Sequence, residues 1–92
     1  MQYVVCYDVA DDQRRSRLSS ALLDFGQRVQ ESVFVANLEQ ELSARMLERV
    51  RRIADVNQDR VHVFRLCAAC VKETVTLGMA AERVEDQEFY VI

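Results

Sequence analysis

The chain has 92 residues, of which 50% are hydrophobic and 29% are charged, and its formal net charge is −3. This composition excludes intrinsic disorder, collagen-like repeats and low-complexity character, and the length accommodates a single domain. The longest apolar run, from Leu66 to Val71, is far shorter than the ~20 residues of a membrane-spanning helix, so we expect no membrane association.

The distribution of charge and the number of cysteines bear on the binding partners and on the location of the protein. Residues 82–92 carry four acidic side chains and one basic one, so the rest of the chain has equal numbers of both and is neutral. Every basic residue except Lys72 is an arginine, which suits phosphate recognition, although the base composition of a genome produces the same bias. Three cysteines without a secretory signal predict reduced thiols and a cytoplasmic location.

The first predicted elements are a strand and a helix. The run from Tyr3 to Tyr7 is apolar and aromatic throughout, which is typical of a strand buried on both faces. Asp11 or Asp12 is expected to cap the helix that follows, and Gly26 lies where a residue just beyond the helix end is expected. The helix presents one apolar stripe, formed by Leu18, Ala21, Leu22 and Phe25.

The middle of the chain predicts strands and a second helix. Residues 27–30 and 32–37 have the composition of two short strands or one bent strand. A helix is predicted from about Gln40 to Ala54. Its apolar face consists of Leu42, Met46, Leu47, Val50 and Ile53.

The last third is less regular. Val61–Leu66 predicts another strand, and Val71–Leu77 predicts a short helix or strand. Glu88–Ile92 predicts a terminal strand that follows an acidic loop. The order strand, helix, strands, helix, strand predicts an α+β fold, a two-layer sandwich of ferredoxin-like type with two helices against an antiparallel sheet.

We expect one domain over residues 1–92. Its core is predicted to span residues 1–66, and residues 67–92 are predicted to form a C-terminal extension. No internal repeat or linker divides the chain.

Asp8 is the leading candidate for chemistry, because it is a carboxylate directly after the hydrophobic first strand. Its side chain either caps the turn or belongs to a site at the strand end. A single aspartate holds a hard cation poorly, since magnesium is usually bound by one or two carboxylates together with waters and substrate phosphates. A symmetric dimer that brought two copies of Asp8 together would meet that need.

The arginines form two groups. Arg14, Arg15 and Arg17 lie in the first turns of the first helix, and Arg28 follows that helix. The second group lies between residues 45 and 65 and comprises Arg45, Arg49, Arg51, Arg52, Arg60 and Arg65. Both groups are explained either as solvated surfaces with weak ion pairs or as phosphate-binding positions.

Cys67 and Cys70 are separated by two residues, as in half of a zinc site or in a redox pair. Zinc requires four ligands, and only His62 and Cys6 remain as further soft candidates. The pattern alone therefore favours ordinary packed thiols. His62 lies within a predicted strand and is expected to be structural, because no nucleophile accompanies it in a motif.

Two stretches of the sequence resemble a known family. The first runs from Tyr3 to Arg15 and joins Tyr7-Asp8 to a pair of aspartates and an arginine-rich helix start. The second runs from Phe25 to Phe34 and contains Gly-Gln-Arg-Val-Gln-Glu-Ser-Val-Phe. In combination they resemble the small CRISPR-associated nuclease of spacer acquisition, the second core adaptation protein and partner of the CRISPR integrase. The resemblance extends to about residue 78.

The resemblance implies a ferredoxin-like homodimer in which the C-terminal strand is added to the partner's sheet. It implies that Asp8 of both subunits binds magnesium or manganese as the catalytic ligand of an endonuclease on RNA or double-stranded DNA. It also implies a scaffold role, in which the protein holds a DNA duplex between integrase dimers. The alternative is a non-catalytic, dimeric nucleic-acid-binding adaptor. The residues that match the family are Arg14, Arg15, Arg17 and Arg28 for nucleic acid, with Tyr7, Ser32 and Phe34 in support.

The C-terminal tail carries a separate expectation. Residues 82–88 are acidic and would repel phosphate, whereas the last four residues, Phe89 to Ile92, are apolar. Pairing of this end with a sheet edge of the other subunit would cover the apolar side chains and direct the acidic loop towards the integrase. The alternative is a strand on the chain's own sheet after a solvated linker.

Overall fold

A four-stranded antiparallel sheet and two helices occupy the first two thirds of the chain. The computed structural model of the protein describes residues 1–78, 90 and 91. The sheet has the order β2-β3-β1-β4. Its elements in chain order are β1 (Gln2–Asp8), α1 (Asp12–Leu23), β2 (Gln27–Gln30), β3 (Val33–Asn37), α2 (Gln40–Ile53) and β4 (Arg60–Leu66).

Each helix connects two strands that are not neighbours in the sheet. α1 leads from β1 to β2 and α2 leads from β3 to β4, so both crossovers bring their helix onto the same face of the sheet. The core lies between the two layers. Its fully buried side chains include Val5, Leu18, Leu22, Phe34 and Met46. The predicted ferredoxin-like sandwich is confirmed.

Among the described residues, only one face of β1 is covered along the whole strand. Tyr3, Val5 and Tyr7 point towards the helices and are buried, whereas Val4 and Cys6 on the other face are only half-buried. The prediction that β1 is buried on both faces is therefore wrong over the described part of the chain, because both helices pack on the same side. We call the uncovered side the open face.

Local contacts explain where α1 begins and how the chain continues after it. Asp11 is the N-cap of α1, since its Oδ2 accepts a 2.8 Å hydrogen bond from the Arg14 backbone N–H. At the other end the predicted role of Gly26 is wrong: α1 has its C-cap at Asp24, and Gly26 does not have a positive φ. A Cβ at Gly26 would collide with the Val35 carbonyl oxygen, so glycine allows the chain to pass close to β3.

The apolar face of α2 is narrower than predicted. Met46 and Val50 are buried, Leu47 and Ile53 are half-buried, and Leu42 is 41% exposed. The buried stripe therefore begins one turn into the helix. No helix in the described part of the chain is both long enough and apolar enough to span a membrane.

A short C-terminal unit follows the sandwich. It contains α3 (Ala68–Lys72), β5 (Val75–Thr76) and β6 (Tyr90–Val91). The two strands pair in parallel as a separate two-stranded sheet within the same chain. The predicted terminal strand is thus present over its middle residues, and its addition to a partner's sheet stays a prediction. The acidic residues 82–88 lie outside the described residues.

Candidate metal and nucleic-acid site

Asp8 ends β1 at one corner of the open face. Strand alternation places its side chain on the same face as Val4 and Cys6, and the β1–β4 register places it directly opposite Arg60. The Asp8 side chain is exposed. Within the described part of the chain, no hydrogen bond or ion pair engages its carboxylate. Both carboxylate oxygens are therefore available to a ligand from outside the chain.

The predicted supporting residues fix the end of the strand that carries Asp8. Tyr7 is buried, and its ring stacks on Phe34 with 6.0 Å between ring centroids. The Tyr7 backbone N–H donates to the Ser32 carbonyl at 3.1 Å, and its hydroxyl donates to the Glu31 carbonyl at 3.4 Å. Tyr7, Ser32 and Phe34 thus hold the β2–β3 turn beside Asp8. They position Asp8, and none of them provides a further carboxylate.

Arg14 forms a two-pronged ion pair inside the chain. Its Nε and Nη2 donate to the two carboxylate oxygens of Asp59 at 2.7 and 2.9 Å. The Asp59 side chain is only 1% exposed. The hydrogen bonds from Arg14, together with one from the Asp55 backbone N–H, lower the pKa of Asp59, and the same contact raises the pKa of Arg14.

This ion pair ties the start of α1 to the loop before β4. The loop is closed further by Asp55, whose Oδ1 accepts from the Asn57 N–H at 2.8 Å. Because Arg60 follows Asp59 directly, this clamp of Arg14 on Asp59 lies beside the start of β4, where the β1–β4 register sets Arg60 opposite Asp8. The structure therefore gives Arg14 a positioning role within the fold.

The other predicted arginines occupy three different places. Arg15 donates to the Val9 carbonyl at 2.9 Å and contacts Asp12, so it lies over the loop that follows Asp8. Arg28 projects on the helix-covered face, where it donates to the Ser19 hydroxyl and lies 5.5 Å from the Phe34 ring centroid.

Arg17 is exposed on α1. It lines a shallow groove of about 550 Å³ between α1 and α2, together with Arg49 and Asp24, which form an ion pair at 3.2 Å. Within the described residues, Arg17 has no hydrogen bond or ion pair of its own. The four predicted arginines therefore do not form one cluster.

The arginines between residues 45 and 65 divide in the same way. Arg51 and Arg52 both pair with Glu48 at 3.8 and 3.3 Å on the exposed surface of α2, as expected for solvated ion pairs. Arg45, Arg60 and Arg65 are exposed and have no ion pair with any residue that the structure describes. Of these, Arg60 is the one beside Asp8.

The sequence alone assigned no individual role to Arg60. It appeared only as one arginine among six, because the pairing of β1 with β4 joins residues that are far apart in the chain. A signal was nevertheless present. In an antiparallel pair the start of one strand meets the end of the other, so the residue before the predicted strand Val61–Leu66 was a candidate neighbour of Asp8.

One copy of the chain provides one carboxylate at this site. Over residues 1–78, 90 and 91, no three His, Cys, Asp or Glu side chains come together in a group that could hold a metal ion. His62 lies opposite Cys6 on the open face, and neither joins Cys67 and Cys70 in such a group. Unlike these His and Cys side chains, Asp8 has the oxygen donors that a hard cation prefers, and it fits half of such a site.

Known proteins are similar to this chain in sequence and in fold. The family described as CRISPR associated protein Cas2 matches residues 1–74. A Chloroflexus aurantiacus protein named CRISPR-associated endoribonuclease Cas2 1 is 36% identical over 93 residues, which cover 100% of both chains. A Thermus thermophilus protein named CRISPR-associated endonuclease Cas2 2 is 40% identical over 62 residues, which cover 67% of this chain and 69% of its own.

A solved structure agrees with these matches. The crystal structure of Streptococcus pyogenes Cas2 at pH 6.5 superposes with a TM-score of 0.75 at 28% identity. The superposition covers 85% of this chain and 100% of the other. The resemblance found in the stretches Tyr3–Arg15 and Phe25–Phe34 is confirmed.

Proposed function

The chain belongs to the Cas2 family of CRISPR-associated proteins, and on that premise we propose that it is an endonuclease of spacer acquisition. Its substrate is RNA or double-stranded DNA, and it works as a homodimer with magnesium or manganese held by Asp8. The observation that carries the proposal is the Asp8 carboxylate, which is exposed at the end of β1 and forms no hydrogen bond or ion pair with any described residue. The nuclease names of the relatives give further support.

A homodimer would supply the second carboxylate that one chain lacks. Asp8 from each of two subunits would provide two carboxylates, and waters and substrate phosphates would complete the oxygen shell of the ion. Bound there, the ion would supply Lewis-acid activation of water and neutralisation of phosphate charge. The open face favours association with a second copy, since Phe64 is 53% exposed there beside the half-buried Val4. The C-terminal strand would complete the dimer on the partner's sheet.

The chain's own residues would bind and orient the nucleic acid. Arg60 would contact a phosphate next to Asp8, while Arg15 and Arg17 would contact the backbone further along. Arg14 and Arg28 would instead stabilise the fold through their contacts with Asp59 and Ser19. No protein side chain is proposed as a general base.

A second candidate function is a non-catalytic adaptor that holds a DNA duplex for the CRISPR integrase. One observation favours it: the described residues of a single chain present unpaired arginines at several places but no complete metal site. The adaptor requires the dimer and the arginines. It does not require the carboxylate of Asp8.

Replacement of Asp8 by asparagine separates the two candidates. We expect Asp8→Asn to abolish cleavage of labelled single-stranded RNA and duplex DNA in magnesium or manganese, with unchanged dimer mass and Tm. The matched control is Asp24→Asn, an exposed aspartate at the far end of α1, roughly 18 Å along the helix, which should leave cleavage intact. Full activity in Asp8→Asn would contradict the catalytic proposal.

Binding assays complete the test. If the wild-type protein binds duplex DNA and the integrase of the same CRISPR locus but cleaves nothing with either metal, the adaptor function takes over. If sedimentation shows a monomer under all conditions, both candidate functions fail, because each depends on the homodimer.

A further inference from the structure

Cys67 and Cys70 form a dithiol that the proposed function does not use. Cys67 is the N-cap of α3 and Cys70 lies one turn later, so the helix brings both side chains to the same side. Their sulfur atoms are 3.4 Å apart. Both residues are exposed, whereas the third cysteine, Cys6, is half-buried within the sheet.

The two thiols differ in acidity. Hydrogen bonding with the Cys70 backbone and with the Cys70 thiol lowers the pKa of Cys67. Hydrogen bonding and the negative charge on Cys67 raise the pKa of Cys70. Since the thiolate is the nucleophile in disulfide exchange, Cys67 is the thiol that reacts first and Cys70 is the one that resolves.

Cys67 is also accessible to a small reagent. It lines a groove of about 340 Å³ between the end of β4, the start of α3 and the first residues of the chain, with Leu66, Val71 and Met1 among its walls. A disulfide bond is about 2.05 Å long, so the two sulfur atoms need to approach by about 1.4 Å.

From this geometry we propose that Cys67 and Cys70 are a reversible oxidation site, which forms an intramolecular disulfide by exchange with a small disulfide such as glutathione disulfide. The Cys67 thiolate attacks one sulfur of the reagent, forms a mixed disulfide and releases one glutathione thiolate. The Cys70 thiol then loses its proton and attacks the Cys67 sulfur, which expels the second glutathione. Two protein thiols are oxidised and one reagent disulfide is reduced to two thiols.

The position of the pair makes the oxidation state relevant to the C-terminal unit. α3 lies in the chain between β4 of the sandwich and β5, which pairs with β6. A disulfide from Cys67 to Cys70 closes the first turn of α3 covalently. Oxidation thereby fixes the segment through which the last strands are attached to the sandwich.

The test uses the full-length protein and three single variants. Wild-type protein incubated with glutathione disulfide should lose two hydrogen atoms in intact mass, and peptide mapping should show Cys67 joined to Cys70. Cys70→Ser should instead accumulate a stable mixed disulfide with glutathione at Cys67. Cys67→Ser should accumulate much less adduct, and Cys6→Ser should behave as the wild type.

Three outcomes would overturn the proposal. One is a wild-type protein that retains both free thiols at a reagent concentration that modifies Cys70→Ser. Another is oxidation that joins two chains through Cys6 or through either cysteine of the pair. The third is zinc that remains bound through purification and is released only when Cys67 or Cys70 is replaced, since the pair would then be a metal ligand.

Discussion

The two faces of the four-stranded sheet differ in how far their side chains are buried and in how many of them have partners within the chain. On the helix-covered face, Val5 and Phe34 are at most 1% exposed and pack into one continuous core with α1 and α2. On the open face, Phe64 is 53% exposed, and the side chains of Asp8 and Arg60 form no hydrogen bond or ion pair with any residue that the structure describes. The same strands therefore build the fold on one side and present unused groups on the other.

Three arginines illustrate this division and show that residue type alone does not reveal a role. Arg14 and Arg28 bind to Asp59 and Ser19 and so serve the fold. Arg60 lies on the open face of the sheet, and its guanidinium forms no hydrogen bond or ion pair within the described chain. Candidates for function are the charged groups that the fold leaves without a partner.

The largest expected effect tests the packed face. Leu18→Ala removes a fully buried side chain between α1 and the sheet, and we expect it to reduce the free energy of unfolding by about 2–5 kcal/mol. The matched control is Leu23→Ala on the same helix, whose side chain is 54% exposed and whose loss should change stability by about 0.5 kcal/mol or less. Urea denaturation followed by circular dichroism measures both. Equal losses would show that α1 does not bury the face that the structure assigns to it.

An intermediate effect tests the clamp between α1 and the loop before β4. Because Arg14 lowers the pKa of Asp59 below its ordinary value of 3.8, the ion pair stabilises the fold fully above that value. This stabilisation is lost as the pH falls through the lower pKa of the folded state. We expect Asp59→Asn to have a lower Tm than the wild type at pH 7, and the difference should shrink below about pH 4.

The control for the clamp is Asp24→Asn, which removes an exposed ion pair with Arg49. Its Tm should follow that of the wild type at every pH, since surface pairs contribute little. A difference between wild type and Asp59→Asn that stays constant down to pH 2 would contradict the role of the carboxylate charge.

Local patterns were sufficient to predict most elements of the sandwich. The stripe of Leu18 and Leu22 at helical spacing predicted the buried side of α1, and Asp11 was a correct candidate for its N-cap. The order of strands and helices then predicted the fold class. These features depend on residues that are close in sequence, so the sequence contains them directly.

Contacts between distant residues were not predictable in the same way. Arg14 and Asp59 are 45 residues apart, and nothing in either local sequence distinguishes them from solvated surface charges. The register that brings Arg60 to Asp8 also joins two strands that are far apart in the chain. Gly26 likewise serves a close approach to Val35 on a neighbouring strand, which a helix-end pattern does not reveal.

The smallest expected effect on the fold, and the most direct test of the open face, is Arg60→Gln. Since phosphate contacts are independent of sequence, the substitution should weaken duplex binding about equally for all sequences and reduce the slope of log affinity against log salt by about 1. Arg14→Gln is the matched control, because its guanidinium is occupied by Asp59: it should lower the Tm and leave the salt slope unchanged. Binding is measured by fluorescence anisotropy at several salt concentrations with a chelator present, so that cleavage does not interfere. If Arg14→Gln changes the slope and Arg60→Gln does not, phosphate is bound on the helix side of the molecule, and the division between a structural face and a functional face is wrong.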